Sequence, residues 1–143
     1  MMKIRTLIIE GDESLRRLLV EIVQRRGHQV TACADPGHCL LYGSRETPAC
    51  SRPEACSDIL FLDLDRGWRS GLDLLEKQKS LGCRLLVDNR AWITVDVSLY
   101  HPQEAAHRVA AVGCRVFEKP FRVEAINAWL SECEGRLREA SPA

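Results

Sequence analysis

The sequence of 143 residues has no net charge and no long hydrophobic run. Lys plus Arg and Asp plus Glu each number 20, so no basic stripe indicates a nucleic-acid partner. No apolar segment approaches the length of a membrane span, and no signal peptide opens the chain. We therefore expect a cytoplasmic protein without a membrane segment. The length fits one domain over residues 1–143, with a core at about residues 4–138.

Glycine is scarce in the region where a phosphate-binding loop would need it. Only Gly11 and Gly27 occur in the region that follows the first strand-like run, so no glycine-rich loop is available there to cradle a phosphate. The absence argues against a small phosphotransferase or flavin protein. We therefore expect that the chain is not an enzyme.

Cysteine, by contrast, is abundant, and the odd count of seven leaves at least one unpaired. Nothing signals secretion, so a disulfide framework is not expected. His38, Cys39, Cys50 and Cys56 could together form a metal or redox site, since three of the four lie near one irregular loop. Their spacing lacks the paired short intervals typical of zinc sites. The alternatives are a Cys50–Cys56 disulfide and loop cysteines without a special role. Three other cysteines are expected to be small buried hydrophobic residues: Cys83, Cys114 and Cys133.

Apolar runs alternate with helical periodicity along the chain. Strands are predicted at about 6–10, 29–32, 59–62, 84–87 and 115–117. Helices are predicted at about 14–26, 38–43, 71–81, 102–112 and from about 123 onward. Two segments, about 44–57 and 89–101, are predicted as longer loops, although 91–97 could be an additional strand. The alternation predicts an α/β fold, with a doubly wound parallel sheet and helices on both of its faces.

Charged side chains follow three of the predicted strands directly. Asp63 ends the apolar run 59–62, Glu10 and Asp12 follow the first strand, and Lys119 follows the fifth. Because the carboxyl ends of parallel strands lie at one edge of the sheet, these residues would form one compact site. Asp12 has a second interpretation, as the N-cap of the following helix.

Three motifs in this order resemble a known family. Glu10–Leu15 forms an acidic cluster after the first strand, Asp58–Leu64 places an acid at a buried strand end, and Lys119–Phe121 follows the fifth strand. Together they resemble the receiver domain of two-component response regulators over nearly the whole chain. The resemblance implies a flavodoxin-like fold with five parallel strands, and a cis peptide bond before Pro120.

The resemblance also implies a chemistry for the strand ends. Asp63 would attack the phosphoryl group of a phosphohistidine on a sensor histidine kinase or phosphotransfer protein, and Lys119 would contact a phosphate oxygen. Mg²⁺ would bind to Asp12, Asp63 and the main-chain carbonyl of Asp65. The phosphorylated chain would then act on an output domain or target protein, and a homodimer is a further candidate assembly.

Several positions depart from the family pattern. Gly11 stands where an acid is usual, which should weaken Mg²⁺ binding, and rescue by Glu10 is speculative. Asp88, or Asn89 in a shifted alignment, stands where Thr or Ser normally contacts the phosphate, and an ionised Asp88 would repel it. Val116 replaces the aromatic switch residue, and Phe117 should face the other side of the sheet.

Two functional interpretations therefore stay open. The first is a receiver that accepts a phosphoryl group on Asp63. The second is a pseudo-receiver, which binds its partners without phosphorylation and is favoured by the departures at Gly11, Asp88 and Val116. No helix-turn-helix follows the last helix, so neither interpretation predicts nucleic-acid binding within this chain.

Overall fold

Five parallel strands form the centre of the protein. The computed structural model describes residues 3–37, 39, 50, 52–63, 68–94 and 102–140. Within them the strands are β1 (Arg5–Glu10), β2 (Gln29–Cys33), β3 (Ile59–Asp63), β4 (Arg90–Thr94) and β5 (Arg115–Glu118). The helices are α1 (Glu13–Arg25), α2 (Trp68–Ser80), α3 (Pro102–Val112) and α4 (Val123–Ala140), with a short 3-10 helix at Val87–Asn89. The sheet order β2-β1-β3-β4-β5 confirms the predicted doubly wound, flavodoxin-like class.

Each face of the sheet buries its own apolar core. On one face, Phe61 and Phe117 pack edge-to-face against Trp129 of α4, with ring centroids 5.2 and 5.8 Å apart. On the other face, Leu62 and Trp92 join the core that includes residues of α2 and α3. The alternation of side chains along each strand produces these two layers. No helix in the described residues is long and apolar enough to cross a membrane.

Gly71 allows α2 to approach the sheet closely. A Cβ atom at this position would lie 2.7 Å from Nε1 of Trp92, which is too close for a normal contact. The indole of Trp92 therefore packs against the backbone of α2. This close contact explains why a glycine stands in the first turn of that helix.

The fourth strand begins later than the sequence predicted. Residues 84–87 form no strand, and β4 pairs with β3 through Leu60 and Arg90. Leu86 is 40% exposed, whereas Arg90 is only 1% exposed despite its charge. The apolar residues at 85–87 therefore indicated a strand that does not form. The charged residue Arg90 hid the start of the strand that does form.

The other predicted elements agree with the structure where it describes them. The remaining strands begin and end close to their predicted residues, while α2 begins at Trp68 instead of residue 71. Of the predicted helix at 38–43 only Cys39 is described, and half of the predicted loop at 44–57, residues 44–49 and 51, lies outside the described residues. The segment 95–101, which contains the end of the ambiguous run 91–97, also lies outside them.

Glu134 of α4 joins three parts of the fold in one polar network. Both of its carboxylate oxygens accept hydrogen bonds from Arg26, at 2.6 and 2.9 Å. Nε2 of His28 lies 2.7 Å from the same carboxylate, and Nδ1 of His28 lies 2.9 Å from the hydroxyl of Thr6 in β1. Burial alone would raise the pKa of Glu134, but the hydrogen bonds from Arg26 and His28 lower it overall. The network therefore fastens α4 to β1 and to the turn after α1.

We predict that Glu134→Ala lowers the free energy of unfolding by about 2 kcal/mol, because Arg26 and His28 lose the anion that they contact. Urea unfolding at neutral pH measures the change. Glu132→Ala, at an exposed position of the same helix, is the matched control and should change stability by less than about 0.5 kcal/mol. Equal effects of the two substitutions would contradict a structural role for the network.

Candidate functional site

The acids at the ends of β1 and β3 are direct neighbours. Glu10 and Asp63 are paired in the parallel register of the two strands, and each is the last residue of its strand. Glu10 is completely buried, and 13% of the Asp63 side chain is exposed. The carboxyl edge of the sheet therefore holds two adjacent carboxylates, of which Asp63 is the one open to solvent.

Lys119 neutralises this pair from the other side of β4. Its ammonium group forms an ion pair with Asp63 and lies 3.1 Å from Oε1 of Glu10. Its backbone N–H donates a hydrogen bond of 2.8 Å to the carbonyl of Thr94, the last residue of β4. Burial alone would lower the pKa of Lys119, but Asp63 and Glu10 raise it overall, so the lysine is held in its charged form. The Lys119–Pro120 peptide bond is cis.

The pKa of Glu10 is shifted strongly by its surroundings. Burial and the neighbouring Asp63 raise its pKa to about 7, against the opposing effect of Lys119. Neither of its carboxylate oxygens has a well-aligned hydrogen bond within the described residues, although the ion pair with Lys119 is present. Glu10 therefore changes its charge near neutral pH, directly beside Asp63.

Arg16 of α1 fixes the backbone that leads out of β1. Its Nη1 donates to the carbonyl of Glu10 at 2.7 Å and lies 3.5 Å from the carbonyl of Gly11. These contacts bring a second positive charge to the acidic edge. Arg16 was not among the predicted site residues, because its only sequence signal was its position one turn into α1, from which it faces back toward the strand end.

The predicted metal ligands are brought together only in part. Asp12 is the N-cap of α1, where its Oδ1 accepts a hydrogen bond of 3.0 Å from the N–H of Leu15. The structure therefore supports the capping interpretation of Asp12, while Glu10, which was only a speculative substitute, is the acid that pairs with Asp63. Asp65 lies outside the described residues.

The donor chemistry of this edge still fits a hard divalent cation. Mg²⁺ is commonly held by one or two carboxylates and completes its shell with water. Glu10 and Asp63 supply two such carboxylates. In the part of the chain that the structure describes, no group of three or more His, Cys, Asp or Glu side chains could hold a metal ion. Any metal at this edge would therefore depend on few protein ligands.

The prediction for Asp88 was wrong, and so was its alternative Asn89. Both residues precede β4, so they lie at the opposite edge of the sheet, roughly 15 Å from Asp63 at the usual rise per residue. Asn89 is buried and donates to the carbonyl of Asp58 at 3.1 Å, which secures the start of β3. The error follows directly from the misplaced fourth strand.

Thr94 takes the position that Asp88 was predicted to hold. It ends β4, is only 4% exposed, and pairs in register with Glu118 of β5. A hydroxyl residue therefore stands at the strand end between Asp63 and Lys119 in the sheet order. The run Ala91–Ile93 before Thr94 was the sequence signal that could have identified it.

The position predicted for the aromatic switch lies beside an open cavity. Val116 is half-buried in β5, and Phe117 packs into the core of the opposite face, as predicted. Val116 lines a cavity of about 220 Å³ together with Trp92 and residues of α3, which include Ala105 and Val109. The small side chain therefore leaves space between β5 and α3.

Comparisons with known proteins agree on the fold. The structure is similar to a CheY-like response regulator receiver domain from Methanospirillum hungatei JF-1, with a TM-score of 0.68, 18% identity and coverage of 97% of this chain and 100% of the other. A two-component response regulator from Clostridium difficile gives a TM-score of 0.65 at 16% identity, covering 94% and 98% of the two chains. Chemotaxis protein CheY4 of Vibrio cholerae gives 0.59 at 19% identity, covering 92% and 99%.

The sequence comparisons give no match. No protein-family model and no curated protein matches the chain. At identities below 20%, the structural similarity establishes a shared fold. The predicted resemblance to receiver domains is therefore confirmed by three-dimensional structure, along nearly the whole chain.

We predict that Glu10 makes stability fall as the pH rises. The folded protein binds a proton at Glu10 up to about pH 7, whereas the unfolded chain releases it near pH 4.5, so folding loses roughly 3 kcal/mol between these values and little above them. Urea unfolding across pH 4.5 to 8 measures the slope. Glu10→Gln should flatten it, and the exposed control Glu124→Gln should leave it unchanged. A slope that persists in Glu10→Gln would contradict the assignment.

Proposed function

We propose that the chain is a receiver domain that accepts a phosphoryl group on Asp63. The observation that carries this proposal is the contact of the Lys119 ammonium with Asp63 and Glu10 at the carboxyl edge of the sheet. Asp63 is the more exposed of the two acids, and a cation already neutralises the edge where a phosphate would arrive. Thr94 at the end of β4 adds a hydroxyl group to the same edge.

The proposed step is a displacement at phosphorus. A carboxylate oxygen of Asp63 forms a bond to the phosphorus of a phosphohistidine, and the P–N bond breaks with its electron pair going to the imidazole nitrogen. Lys119 exchanges its contact with Asp63 for a contact with a phosphoryl oxygen, and the hydroxyl of Thr94 donates to another. Glu10, which is easily protonated near neutral pH, limits the negative charge beside the incoming phosphate.

A hard divalent cation, Mg²⁺ in this proposal, would neutralise phosphoryl oxygens when it is bound. Asp63 and Glu10, once Glu10 has released its proton, are the described side chains that would hold it. Gly11 adds no third carboxylate, and Asp12 uses one of its carboxylate oxygens to cap α1. We therefore expect phosphorylation to require more Mg²⁺ than in a receiver with two adjacent acids after β1.

The proposed partners are a histidine kinase or phosphotransfer protein that supplies the phosphoryl group, and an output domain or target protein that responds to it. We propose a signalling role of this kind in preference to an enzymatic one. A pseudo-receiver that binds its target without phosphorylation is the second candidate. The loss of an acid at Gly11 and the small residue Val116 at the switch position favour it.

We predict that a small phosphodonor such as acetyl phosphate, with Mg²⁺, adds one phosphoryl group to the protein, because Asp63 offers an accessible carboxylate beside Lys119. Intact-protein mass spectrometry measures the addition. Asp63→Asn should abolish it, while Asp12→Asn should retain it, because asparagine caps a helix as well as aspartate does. A phosphoryl group that survives Asp63→Asn, or none on the wild type, would overturn the proposal and favour the pseudo-receiver.

A second prediction concerns Thr94. Thr94→Val should slow phosphorylation about tenfold or more, because a hydrogen bond to a charged oxygen is lost, whereas Thr94→Ser should preserve the rate. The time course of phosphoprotein formation gives both rates. Asp88→Ala is the matched control, since Asp88 lies at the other edge of the sheet, and a loss of rate there would restore the role first predicted for it.

A further inference from the structure

Arg90 is a buried cation that uses little of its hydrogen-bonding capacity. Its side chain is almost completely buried at the start of β4, and Nη2 donates to the carbonyl of Leu85 at 2.9 Å. Within the described residues, Nε and Nη1 of Arg90 have no hydrogen-bond partner. A buried guanidinium normally has a partner for each of these donors, and an anionic one for its charge. The surroundings of Arg90 therefore suit a group that becomes negative.

The side chains around this guanidinium include three thiols. Burial lowers the pKa of Arg90, and the thiols of Cys83, Cys114 and Cys39 oppose that effect, with Cys83 contributing most. The packing agrees with this arrangement, because Cys83 and Cys39 contact the same buried apolar cluster that contains Leu85 and Cys114. Cys83 also lies two residues before Leu85, whose carbonyl accepts from Arg90.

Cys83 is the thiol of this group that is both fixed in place and open to solvent. It follows Gly82, whose φ of 78° ends α2, and its N–H donates to the carbonyl of Gln78 at 3.0 Å. Cys83 is half-buried, whereas Cys114 is buried and its pKa is raised by burial to about 11. The sulfur of Cys39 already accepts a hydrogen bond of 3.7 Å from the side-chain amide of Gln78.

We propose that Cys83 is a redox-modification site, at which a hydroperoxide oxidises the thiol to a sulfenic acid beside Arg90. The thiolate sulfur of Cys83 attacks one peroxide oxygen, so that an S–O bond forms and the O–O bond breaks with its electron pair going to the second oxygen. The sulfur is oxidised by two electrons and the peroxide is reduced. With hydrogen peroxide, one thiol and one peroxide give one sulfenic acid and one water, and the water takes up the thiol proton.

Arg90 acts on both the attacking sulfur and the product. A charge-assisted hydrogen bond from Nε or Nη1 stabilises the negative sulfur during the attack, and afterwards the oxygen of the sulfenate. Each of these anions gives the buried cation the partner that it lacks. The site lies at the edge of the sheet opposite Asp63 and is independent of the proposed phosphorylation.

The test is oxidation of the fully reduced protein by less than one equivalent of hydrogen peroxide, with excess dimedone present to trap sulfenic acids. Peptide mapping by mass spectrometry gives the rate of labelling at each cysteine. We expect Cys83 to be labelled first, and at least tenfold faster than Cys33. Cys33 is the matched control, because it is also free and half-buried, and burial raises the pKa of its thiol. Equal rates at the two residues, first labelling elsewhere, or no labelling at all overturns the proposal.

Arg90→Met tests the role of the buried cation. We expect labelling of Cys83 to slow about tenfold, because a hydrogen bond to a charged sulfur is lost. Arg84→Met is the matched control, since Arg84 is next to Cys83 in sequence but is exposed, and its Nε donates to the carbonyl of Arg52. Its charge is screened by solvent, so this variant should change the rate less than twofold. Equal slowing in both variants contradicts the role of Arg90.

Circular dichroism checks the folding of each variant. If Arg90→Met does not fold, the ratio of the Cys83 and Cys33 rates in the wild type still decides the proposal. Asp63→Asn should leave the oxidation of Cys83 unchanged, because the two sites lie at opposite edges of the sheet. Failure of this proposal and failure of the proposed phosphorylation are therefore distinguishable.

Discussion

The site depends on bringing one ammonium group to two carboxylates from across an intervening strand. Glu10 and Asp63 end neighbouring strands, whereas Lys119 follows β5, which β4 separates from both. The N–H of Lys119 bonds to the carbonyl of Thr94, so the backbone follows the end of β4 and the long side chain crosses it to reach the acids. Buried carboxylates repel each other unless a cation accompanies them. Strand order thus determines which charged side chains are neighbours. The positive charge of Lys119 offsets the repulsion between the two acids.

Most of the fold could be predicted because its strands are apolar and its charges lie outside. The run Ile59–Leu62 is buried on both sides, as its composition indicates. The exception is β4, which begins with a buried guanidinium. Sequence periodicity assigns a charged residue to the surface, and only the tertiary neighbours of Arg90 explain its burial. Leu86 added to the error, because its apolar side chain indicated a buried strand residue at 84–87, whereas it is exposed.

This displacement of one strand changes the chemical interpretation of the site. With the strand at 84–87, Asp88 was predicted to stand at the site and was one of three departures that favoured the pseudo-receiver. With β4 at Arg90–Thr94, a hydroxyl residue ends the strand instead, so that departure no longer applies. The choice between Glu10 and Asp12 was likewise beyond the sequence. Both acids lie at the end of the first strand, and only the register that pairs Glu10 with Asp63 distinguishes them. Gly11 contributes no carboxylate to this edge of the sheet.

The two edges of the sheet share β4, which begins with Arg90 and ends with Thr94. Four residue steps at the usual rise separate these ends by about 13 Å. At that distance and an effective dielectric constant near 20, two unit charges interact by about 1 kcal/mol, and salt reduces this further. Ala91, Trp92 and Ile93 between them are buried, so no polar side chain of the strand relays a charge from one end to the other. A change of charge near Arg90 should therefore perturb the Asp63 edge only slightly.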